Sequence, residues 1–334
     1  MSPTPPSRRP AWIIAGPTAT GKSAVAQAIA EKTGAAILSA DSMLVYSGMD
    51  IGTAKPSVAE RGAVRYLGID LATPDQHFST GAWLSEVRRQ LRALPPPSPD
   101  DAVIPGHGII VAGGTGLYIR ALLGGLDAPA SDAATRDLAA SLLAQGGIEA
   151  LQSAIRERSA SAFESLSESD RINPRRLARA FEILVSIEST GDGGRAFRAE
   201  PRRSAPRMAV LTLDPATLAG RIGRRIARMF DDGLAEEAAR LRKKWPALSD
   251  TASAAIGYAE TFAMLDGSLA REEAKERIAA RTRQLAKRQR TWFRHQVDAV
   301  PVDAASGDVE AMAAATLAAW RETGPGWIRC TEEP

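Results

Sequence analysis

A segment near the amino terminus combines glycine, lysine and serine at a spacing that binds phosphate groups. Residues 16–23 read Gly-Pro-Thr-Ala-Thr-Gly-Lys-Ser and fit the pattern G-x-x-x-x-G-K-[ST]. Glycines let backbone N–H groups approach an anion, and the amino terminus of a following helix adds favourable partial charge. Lys22 is suited to neutralising terminal phosphate oxygens, and the Ser23 hydroxyl is suited to Mg²⁺. The predicted phosphate-binding residues are Gly16, Pro17, Thr18, Ala19, Thr20, Gly21, Lys22 and Ser23, with Ser23 as the metal ligand.

A phosphate loop of this kind requires a strand before it and a helix after it, and the sequence supplies both. Residues 12–15 form a short apolar run that ends at the first glycine, and residues 23–33 have helical spacing. Further apolar runs at residues 35–40 and 109–112 are typical of buried strands in a parallel sheet. The predicted fold class is therefore α/β, with a P-loop NTPase-like parallel sheet core flanked by helices.

An aspartate follows the second apolar run, where a substrate-facing group emerges from a parallel sheet. Asp41 occupies that strand end, and ligands of open α/β sheets bind beyond the carboxyl ends of the strands. Without the surrounding motifs, the better interpretation of an aspartate in this position would be a structural one, as a helix cap or a turn residue. The run at residues 109–112 leads into glycines, not into the aspartate that orients Mg²⁺ in many P-loop proteins. The loop therefore predicts a bound diphosphate or triphosphate without deciding between them.

The middle of the chain changes character and predicts a separate helical domain. Residues 132–189 are rich in Ala, Leu, Arg and Glu at helical spacing, without a convincing strand. Residues 191–207 are rich in Gly, Arg and Pro, which is typical of a flexible connector. Strand-like alternation returns at residues 208–213 and is followed by helical patterns. We predict a core of residues 11–125 and 208–297, an all-helical insertion domain of residues 126–207, and tails of residues 1–10 and 298–334 in which no element is predicted.

Basic residues are concentrated in the last long helical pattern. Residues 277–294 contain seven Lys or Arg and no Asp or Glu. Four cations at i, i+4, i+7 and i+11 share one helix face. They are Arg283, Lys287, Arg290 and Arg294. Like charges at these spacings destabilise a helix, so the pattern favours a polyanionic partner over the alternative, a solvated face of mixed sign.

A second basic cluster lies in the predicted insertion. Its members are Arg171, Arg175, Arg176 and Arg179. Two basic patches that are well separated along the chain fit a folded RNA held from two sides.

Composition excludes several classes of protein. The chain has 334 residues, a net charge of +3 and a sequence pI of about 9.2. The single cysteine, Cys330, excludes a disulfide framework and a cysteine metal site. There is no run of about 18 apolar residues, and the apolar run that follows Arg8 and Arg9 has only four residues before the glycine loop, so neither a membrane span nor a signal peptide is predicted. We expect a cytoplasmic protein with no membrane partner, and a monomer, since nothing in the sequence requires more.

Four further blocks of sequence resemble the signatures of one family, the tRNA dimethylallyltransferases. Residues 41–56 read DSMLVYSGMDIGTAKP, residues 113–118 read GGTGLY, and residues 256–258 read IGY. The last block, residues 282–294, reads TRQLAKRQRTWFR. The blocks keep the order found in the family and, together with the phosphate loop, span roughly residues 11 to 296.

The resemblance implies that the phosphate loop holds dimethylallyl diphosphate, with Mg²⁺ as cofactor. It implies transfer of the dimethylallyl group to the N6 amine of the adenosine 3′ of the anticodon, in tRNAs that read codons starting with U. The implied catalytic residues are Asp41, as hydrogen-bond acceptor or general base, and Thr18 and Arg225 on the diphosphate side. Residues implied to bind the tRNA anticodon stem-loop are Asp41, Ser42, Met43, Leu44, Thr115, Arg136, Arg175, Arg176, Arg179, Gly257, Tyr258, Arg283, Lys287, Arg288, Gln289, Arg290 and Arg294.

Two other functions remain open at this stage. A P-loop small-molecule kinase that uses ATP explains the loop, the fold and Mg²⁺, but it does not explain the basic helix or residues 50–53. A non-catalytic RNA-binding module explains the basic patches but not the phosphate loop. The transferase uses all of these features, because a leaving diphosphate needs cations, an amine nucleophile needs a carboxylate, and the target base must leave its stack. The sequence therefore favours the transferase.

Overall fold

The computed structural model describes residues 7–124, 133–190 and 206–331, and a seven-stranded sheet forms its centre. The strands are β1 (Arg8–Ala15), β2 (Ala36–Ala40), β3 (Tyr66–Leu67), β4 (Ile109–Gly113), β5 (Arg207–Thr212), β6 (Asp298–Asp303) and β7 (Gly326–Arg329). Six of them pair in parallel in the order β3-β2-β4-β1-β5-β6, and β7 pairs antiparallel with the start of β1. This order confirms the predicted α/β class with a parallel sheet.

Helices follow most of the strands. Within the described ranges they are α1 (Lys22–Thr33), α2 (Val58–Arg61), α3 (Thr80–Arg92), α4 (Asp100–Val103), α5 (Gly116–Leu122), α6 (Ala133–Arg158), α7 (Ala160–Ser165), α8 (Glu168–Arg171), α9 (Pro174–Thr190), α10 (Pro215–Asp231), α11 (Leu234–Lys244), α12 (Asp250–Ser253), α13 (Tyr258–Leu265), α14 (Arg271–Gln296) and α15 (Val309–Thr323). None of the helices just named is both long enough and apolar enough to cross a membrane.

The sheet is buried on both faces, which explains why its strands are continuous apolar runs. Ile13 and Val111 belong to the hydrophobic cluster on one face, and Ile14 and Ile110 belong to the cluster on the other. Alternate residues of each strand point to opposite faces, so neighbours in sequence enter different clusters. The central strands β1, β2 and β4 end together at the edge where the phosphate loop begins.

The segment after residue 297, for which no element was predicted, completes the core. Strand β6 pairs with β5 over six positions, from Arg207 opposite Asp298 to Thr212 opposite Asp303. Trp320 of α15 is fully buried, and its Nε1 donates to the carbonyl oxygen of Ile13 over 2.8 Å. The expectation of a tail is therefore wrong for residues 298–331, and it is wrong for residues 8–10, which belong to β1 and pair with β7. Short strands with charged ends gain stability from partners distant in sequence, which local patterns do not reveal.

The chain divides into two compact units, residues 1–125 with 205–334, and residues 126–204. The second unit is helical in its described part and has its own hydrophobic cluster, which includes Leu151, Leu177 and Phe181. Helix α6 is kinked at Gly146 and Gly147, which have non-helical backbone angles. Most of the predicted connector, residues 191–205, lies outside the described residues.

Candidate active site

The phosphate loop connects β1 to α1, and its backbone conformation requires glycine at its first position. Gly16 has a φ of +144°, and a Cβ added there would lie 2.6 Å from the carbonyl oxygen of Leu211. Ala19 and Gly21 also have positive φ values, 64° and 96°. The loop therefore passes close to β5 before it turns into α1, and the first amides of that helix are available to an anion.

Lys22 is placed over the loop. Its Nζ donates to the carbonyl oxygen of Pro17 over 2.5 Å, and Thr20 Oγ1 donates to the same oxygen over 2.9 Å. Burial lowers the pKa of Lys22 from 10.5 to about 8, an effect that Asp41 opposes and Arg225 reinforces. The ammonium group is thus short of counter-charge, which is the condition that an incoming phosphate anion relieves.

Arg225 of α10 reaches the same region from the other side. Its NH1 donates to Thr18 Oγ1 over 3.2 Å, and its NH2 donates to the carbonyl oxygen of Thr53 over 3.3 Å. Burial lowers the pKa of Arg225, and the charge of Asp41 acts in the opposite direction. Helix α10 starts sharply at Asp214, whose carboxylate caps its first turn. Thr18 and Arg225, predicted from different parts of the chain, are therefore in contact.

Asp41 follows β2 at the same edge of the sheet. Its Oδ1 accepts the N–H of Met43 over 2.9 Å, so the aspartate does form the local turn that its residue type favours. Among the described residues, Oδ2 has no hydrogen-bond partner, and the side chain is half-buried. One oxygen fixes the turn and the other stays free to accept a proton. The turn and the functional interpretation of Asp41 are compatible.

The glycines of residues 113–116 allow close packing around this site. A Cβ on Gly113 would lie 2.2 Å from the carbonyl oxygen of Ala40, and one on Gly116 would lie 2.3 Å from Trp292. Next to them, the Thr115 N–H donates to the Ala40 carbonyl oxygen over 3.1 Å, and Thr115 Oγ1 accepts the Ser42 N–H over 3.1 Å. The loop after β4 therefore holds the turn that carries Asp41.

A buried glutamate, not identified from the sequence, anchors the loop of residues 50–53. Glu237 of α11 is 4% exposed and accepts the N–H groups of Asp50, Ile51 and Gly52 over 2.9 to 3.2 Å. Its Oε1 also accepts the Tyr258 hydroxyl over 2.7 Å. The sequence gives no signal for this role of Glu237, since one acidic residue on an amphipathic helix is usually solvated.

Gly257 and Tyr258 are both buried, and Tyr258 is fully inaccessible. The Gly257 N–H donates to Glu260 over 3.1 Å. A Cβ on Gly52 would lie 2.6 Å from the Tyr258 ring, which explains why position 52 is a glycine. The structure therefore places the two predicted tRNA contacts of the IGY block, Gly257 and Tyr258, in the interior and not on the surface that such a contact requires.

A second buried contact holds the same loop from the opposite end. The Nζ of Lys55 is completely buried and donates to the Tyr46 carbonyl oxygen, to Asp50 Oδ1 and to Asp70 Oδ1 over 2.6 to 2.7 Å. One lysine with two carboxylates and a carbonyl satisfies the charge that burial would otherwise penalise. The block of residues 41–56 is thus a rigid loop between β2 and α2.

Helix α14 carries the main basic surface. Its exposed cations that have no ion pair among the described residues are Arg283, Lys287, Arg288 and Arg294. Arg290 is half-buried. Two other cations of the basic run of residues 277–294 have ion pairs with carboxylates outside the run. Arg277 pairs with Glu273, and Arg281 pairs with Glu260. The unopposed part of the run is therefore its second half.

Gln289 differs from its basic neighbours because its side chain points inward. It makes hydrogen bonds to the backbone of Thr18 and of Gly114. Phe293 is buried and Trp292 is half-buried, and the two rings meet edge to face. The inward residues of α14 fasten the helix to the site, while its cations face solvent.

The arginines of the helical unit differ in their exposure and in their ion pairs. Arg136 and Arg175 are exposed, on α6 and α9. Arg176 pairs with Asp170 over 2.6 Å, and Arg179 pairs with Glu182 over 3.0 Å. Local carboxylates therefore offset part of this cluster.

The donor set near the loop fits a magnesium ion bound together with a phosphate substrate. Among the described residues, no cluster of three or more His, Cys, Asp or Glu could hold a metal ion alone. The Ser23 hydroxyl is exposed and has no hydrogen-bond partner in the described part of the chain. Mg²⁺ is usually held by one or two protein groups plus substrate phosphates and water, and a single hydroxyl suits that arrangement.

The fold and the site define a P-loop α/β protein whose phosphate loop faces one carboxylate and one half-buried arginine. The family model described as IPP transferase matches residues 44–296, and the one described as isopentenyl transferase matches residues 10–71. A tRNA dimethylallyltransferase from Thiobacillus denitrificans is 37% identical over 317 residues, which cover 93% of this chain and 96% of that protein. The chain belongs to the IPP transferase family.

Solved structures agree with this assignment. The tRNA isopentenylpyrophosphate transferase from Bacillus halodurans superposes with a TM-score of 0.61 at 27% identity, covering 94% of this chain and 97% of that one. A eukaryotic dimethylallyltransferase acting on tRNA has a TM-score of 0.65 at 20% identity, covering 89% and 74%. The second likeness supports the fold alone.

Proposed function

We propose that this protein transfers the dimethylallyl group of dimethylallyl diphosphate to the N6 amine of the adenosine 3′ of the anticodon, in tRNAs that read codons starting with U. The observation that carries the proposal is the convergence of Lys22, Arg225 and Asp41 at one edge of the sheet, in a chain of this family. Two cations for a leaving anion and one carboxylate for an amine proton are the groups this reaction needs.

On the leaving-group side, the bond between the allylic carbon and the diphosphate oxygen breaks, and negative charge accumulates on the diphosphate. Lys22, Arg225 and the amides of the loop stabilise that charge where it develops. The two cations are half-buried, which strengthens their attraction for the anion relative to charges in open water. Thr18 shares a hydrogen bond with Arg225 and orients it.

On the nucleophile side, N6 forms a bond to the allylic carbon and loses a proton. Asp41 Oδ2 accepts that proton, and Oδ1 keeps the turn in place through Met43. The diphosphate departs with its charge held by the loop. Water must stay out of this region, because it would compete with N6 for the allylic carbon.

A magnesium ion fits the proposal as a partner of Ser23 and the diphosphate. When bound, Mg²⁺ supplies further stabilisation of charge on the leaving oxygens. The protein itself contributes the Ser23 hydroxyl at the first turn of α1.

Recognition of tRNA would use the exposed cations of α14, with Arg136, Arg175, Arg176 and Arg179 of the helical unit as further phosphate contacts. Ser42, Met43 and Thr115 are half-buried beside Asp41, which supports them as contacts for a base that leaves the anticodon loop. Leu44, the fourth residue predicted to contact tRNA in this region, is buried, so no contact of its side chain with tRNA is proposed. Extruding a base from a single-stranded loop costs less than from a duplex.

The proposal is tested by product analysis with two matched RNAs. Purified protein, Mg²⁺ and dimethylallyl diphosphate are incubated with an unmodified anticodon stem-loop that has adenosine 3′ of the anticodon, and with one that has guanosine there. Mass spectrometry of the nucleosides should show N6-(dimethylallyl)adenosine in the first RNA and no change in the second. Equal absence of product from both, or modification at another adenosine, would contradict the proposal.

A further inference from the structure

The Gln289 side chain connects two loops that are far apart in sequence. Its Oε1 accepts the N–H of Thr18 over 2.8 Å, and its Nε2 donates to the carbonyl oxygen of Gly114 over 3.0 Å. A Cβ on residue 114 would lie 2.3 Å from this Nε2, so the amide fits there because residue 114 is glycine. The contact is specific, since both ends of the amide are used and the backbone is shaped to receive it.

The two loops carry opposite halves of the proposed reaction centre. Thr18 contacts Arg225 on the diphosphate side. Gly114 precedes Thr115, which holds the Ser42 N–H in the turn of Asp41 on the amine side. One side chain therefore fixes the backbone of both loops at the points next to the reacting groups.

We propose that Gln289 is a positioning residue that sets the separation between the diphosphate and the proton-accepting carboxylate; this inference rests on the proposed function. A neutral amide suits the task, because it both donates and accepts without adding charge beside a diphosphate. Misplacement of reacting groups by about 1 Å costs up to about 100-fold in rate. Gln289 acts through Thr18 and Gly114 and does not touch the reacting atoms.

The orientation of Gln289 separates it from the basic surface of the same helix. Lys287 and Arg288 are exposed, whereas the oxygen and the nitrogen of the half-buried Gln289 amide each make a hydrogen bond to the backbone. Family resemblance assigns the whole run to tRNA contact. We instead assign Gln289 to the geometry of the site and its charged neighbours to the RNA.

The test compares Gln289→Met with Gln284→Met. Methionine has the length of glutamine but forms neither hydrogen bond, and Gln284 is an exposed glutamine of the same helix. Three quantities are measured: the Kd for inorganic diphosphate with Mg²⁺, the Kd for the anticodon stem-loop, and the single-turnover rate of transfer. For Gln289→Met we expect the rate to fall about 10- to 100-fold and the diphosphate Kd to rise, with the RNA Kd within about twofold. Gln284→Met should leave all three unchanged.

A second variant, Gln289→Glu, keeps the test valid if the methionine variant folds poorly. An ionised glutamate still accepts from Thr18 but cannot donate to Gly114, and it repels the diphosphate. A protonated glutamate has the same shape as glutamine and restores both bonds. The rate of Gln289→Glu relative to wild type should therefore rise as the pH falls from 8 to 5.5. A constant ratio would overturn the proposal.

Other outcomes are equally decisive. A weaker RNA Kd with unchanged diphosphate binding in Gln289→Met would make Gln289 a tRNA contact, and three unchanged quantities would give it no role. If the wild-type protein transfers no dimethylallyl group, the proposed function fails. The diphosphate Kd of the variants would still report whether Gln289 shapes the loop, so the two failures are distinguishable.

Discussion

Tyr258 donates its phenolic hydrogen to Oε1 of Glu237 over 2.7 Å, and both residues are almost completely buried. Burial, reinforced by the neighbouring carboxylate, raises the pKa of Tyr258, so the phenol keeps its proton and remains the donor. The same carboxylate accepts three backbone N–H groups of residues 50–52. One buried charge thus fixes the loop whose next residue, Thr53, offers its carbonyl oxygen to Arg225.

Removing this carboxylate should destabilise the protein strongly. Glu237→Ala leaves three amides and a phenol without their acceptor in a buried region, and we expect a loss of about 3 kcal/mol or more in the free energy of unfolding. Urea or thermal unfolding measures it. The control is Glu236→Ala, an exposed neighbour on the same helix, expected within about 0.5 kcal/mol of wild type. A Glu237→Ala variant as stable as the control would contradict the role given to Glu237.

Asp41→Asn should separate the turn from the chemistry. Asparagine keeps an oxygen for the Met43 N–H, but it cannot accept the amine proton. We expect kcat to fall by about 10²–10⁴-fold, with the Kd values for diphosphate and tRNA near wild type. Asp75→Asn, at an exposed position, is the matched control. A near-normal rate in Asp41→Asn would remove Asp41 from proton transfer.

The lowered pKa of Lys22 predicts that diphosphate binding depends on pH. Because its pKa in the free protein is lowered to about 8, Lys22 is protonated at pH 7 and mostly neutral at pH 9. A bound anion favours the protonated form, so binding at pH 9 takes up a proton and affinity declines as the pH rises through 8. Calorimetry in buffers of different ionisation enthalpy measures this uptake.

The control for that measurement is Lys22→Arg, whose guanidinium stays protonated throughout the range. Protons taken up by the ligand itself contribute equally to both proteins. They therefore cancel when the proton uptake of Lys22→Arg is subtracted from that of wild type. The difference should approach one proton near pH 9 and vanish near pH 7. Equal uptake by both proteins would show that Lys22 does not change protonation on binding.

The parallel sheet and the phosphate loop were predictable because local sequence determines them. Glycines that need positive φ and apolar runs buried on both faces leave a pattern that can be read along the chain. Gly52 and Gly114 can be noticed in the sequence, but the sequence does not show why these positions need glycine. The reason is close packing against Tyr258 and Gln289, which are distant along the chain.

Contacts between distant segments account for what the sequence did not predict. Glu237 is indistinguishable from a solvated helix residue until the loop of residues 50–52 is placed against it. Strand β6, with Pro301 and aspartates at both ends, is defined by pairing with β5. The inward direction of Gln289 follows from the packing of α14 and not from its basic neighbours.

The basic surface of α14 should contribute to the salt dependence of tRNA binding. Lys287 and Arg294 are exposed and have no ion pair among the described residues. Changing both to Gln should lower the slope of log K against log salt by about 2, since each phosphate contact releases roughly one counterion. The control changes Lys275 and Arg277, which pair with Glu272 and Glu273 on the same helix. It should leave the slope as in wild type, and an equal effect of both pairs would show that the surface acts only through net charge.

The identity of the group that the phosphate loop delivers is tested most directly by a donor comparison. The protein is incubated with Mg²⁺ and an unmodified tRNA that reads a codon starting with U, once with dimethylallyl diphosphate labelled in its carbon chain and once with ATP labelled in its terminal phosphate. We predict label in the adenosine 3′ of the anticodon from the first donor and none in tRNA from the second. Phosphate transferred from ATP, with no carbon label in the tRNA, would contradict the transferase and favour a kinase.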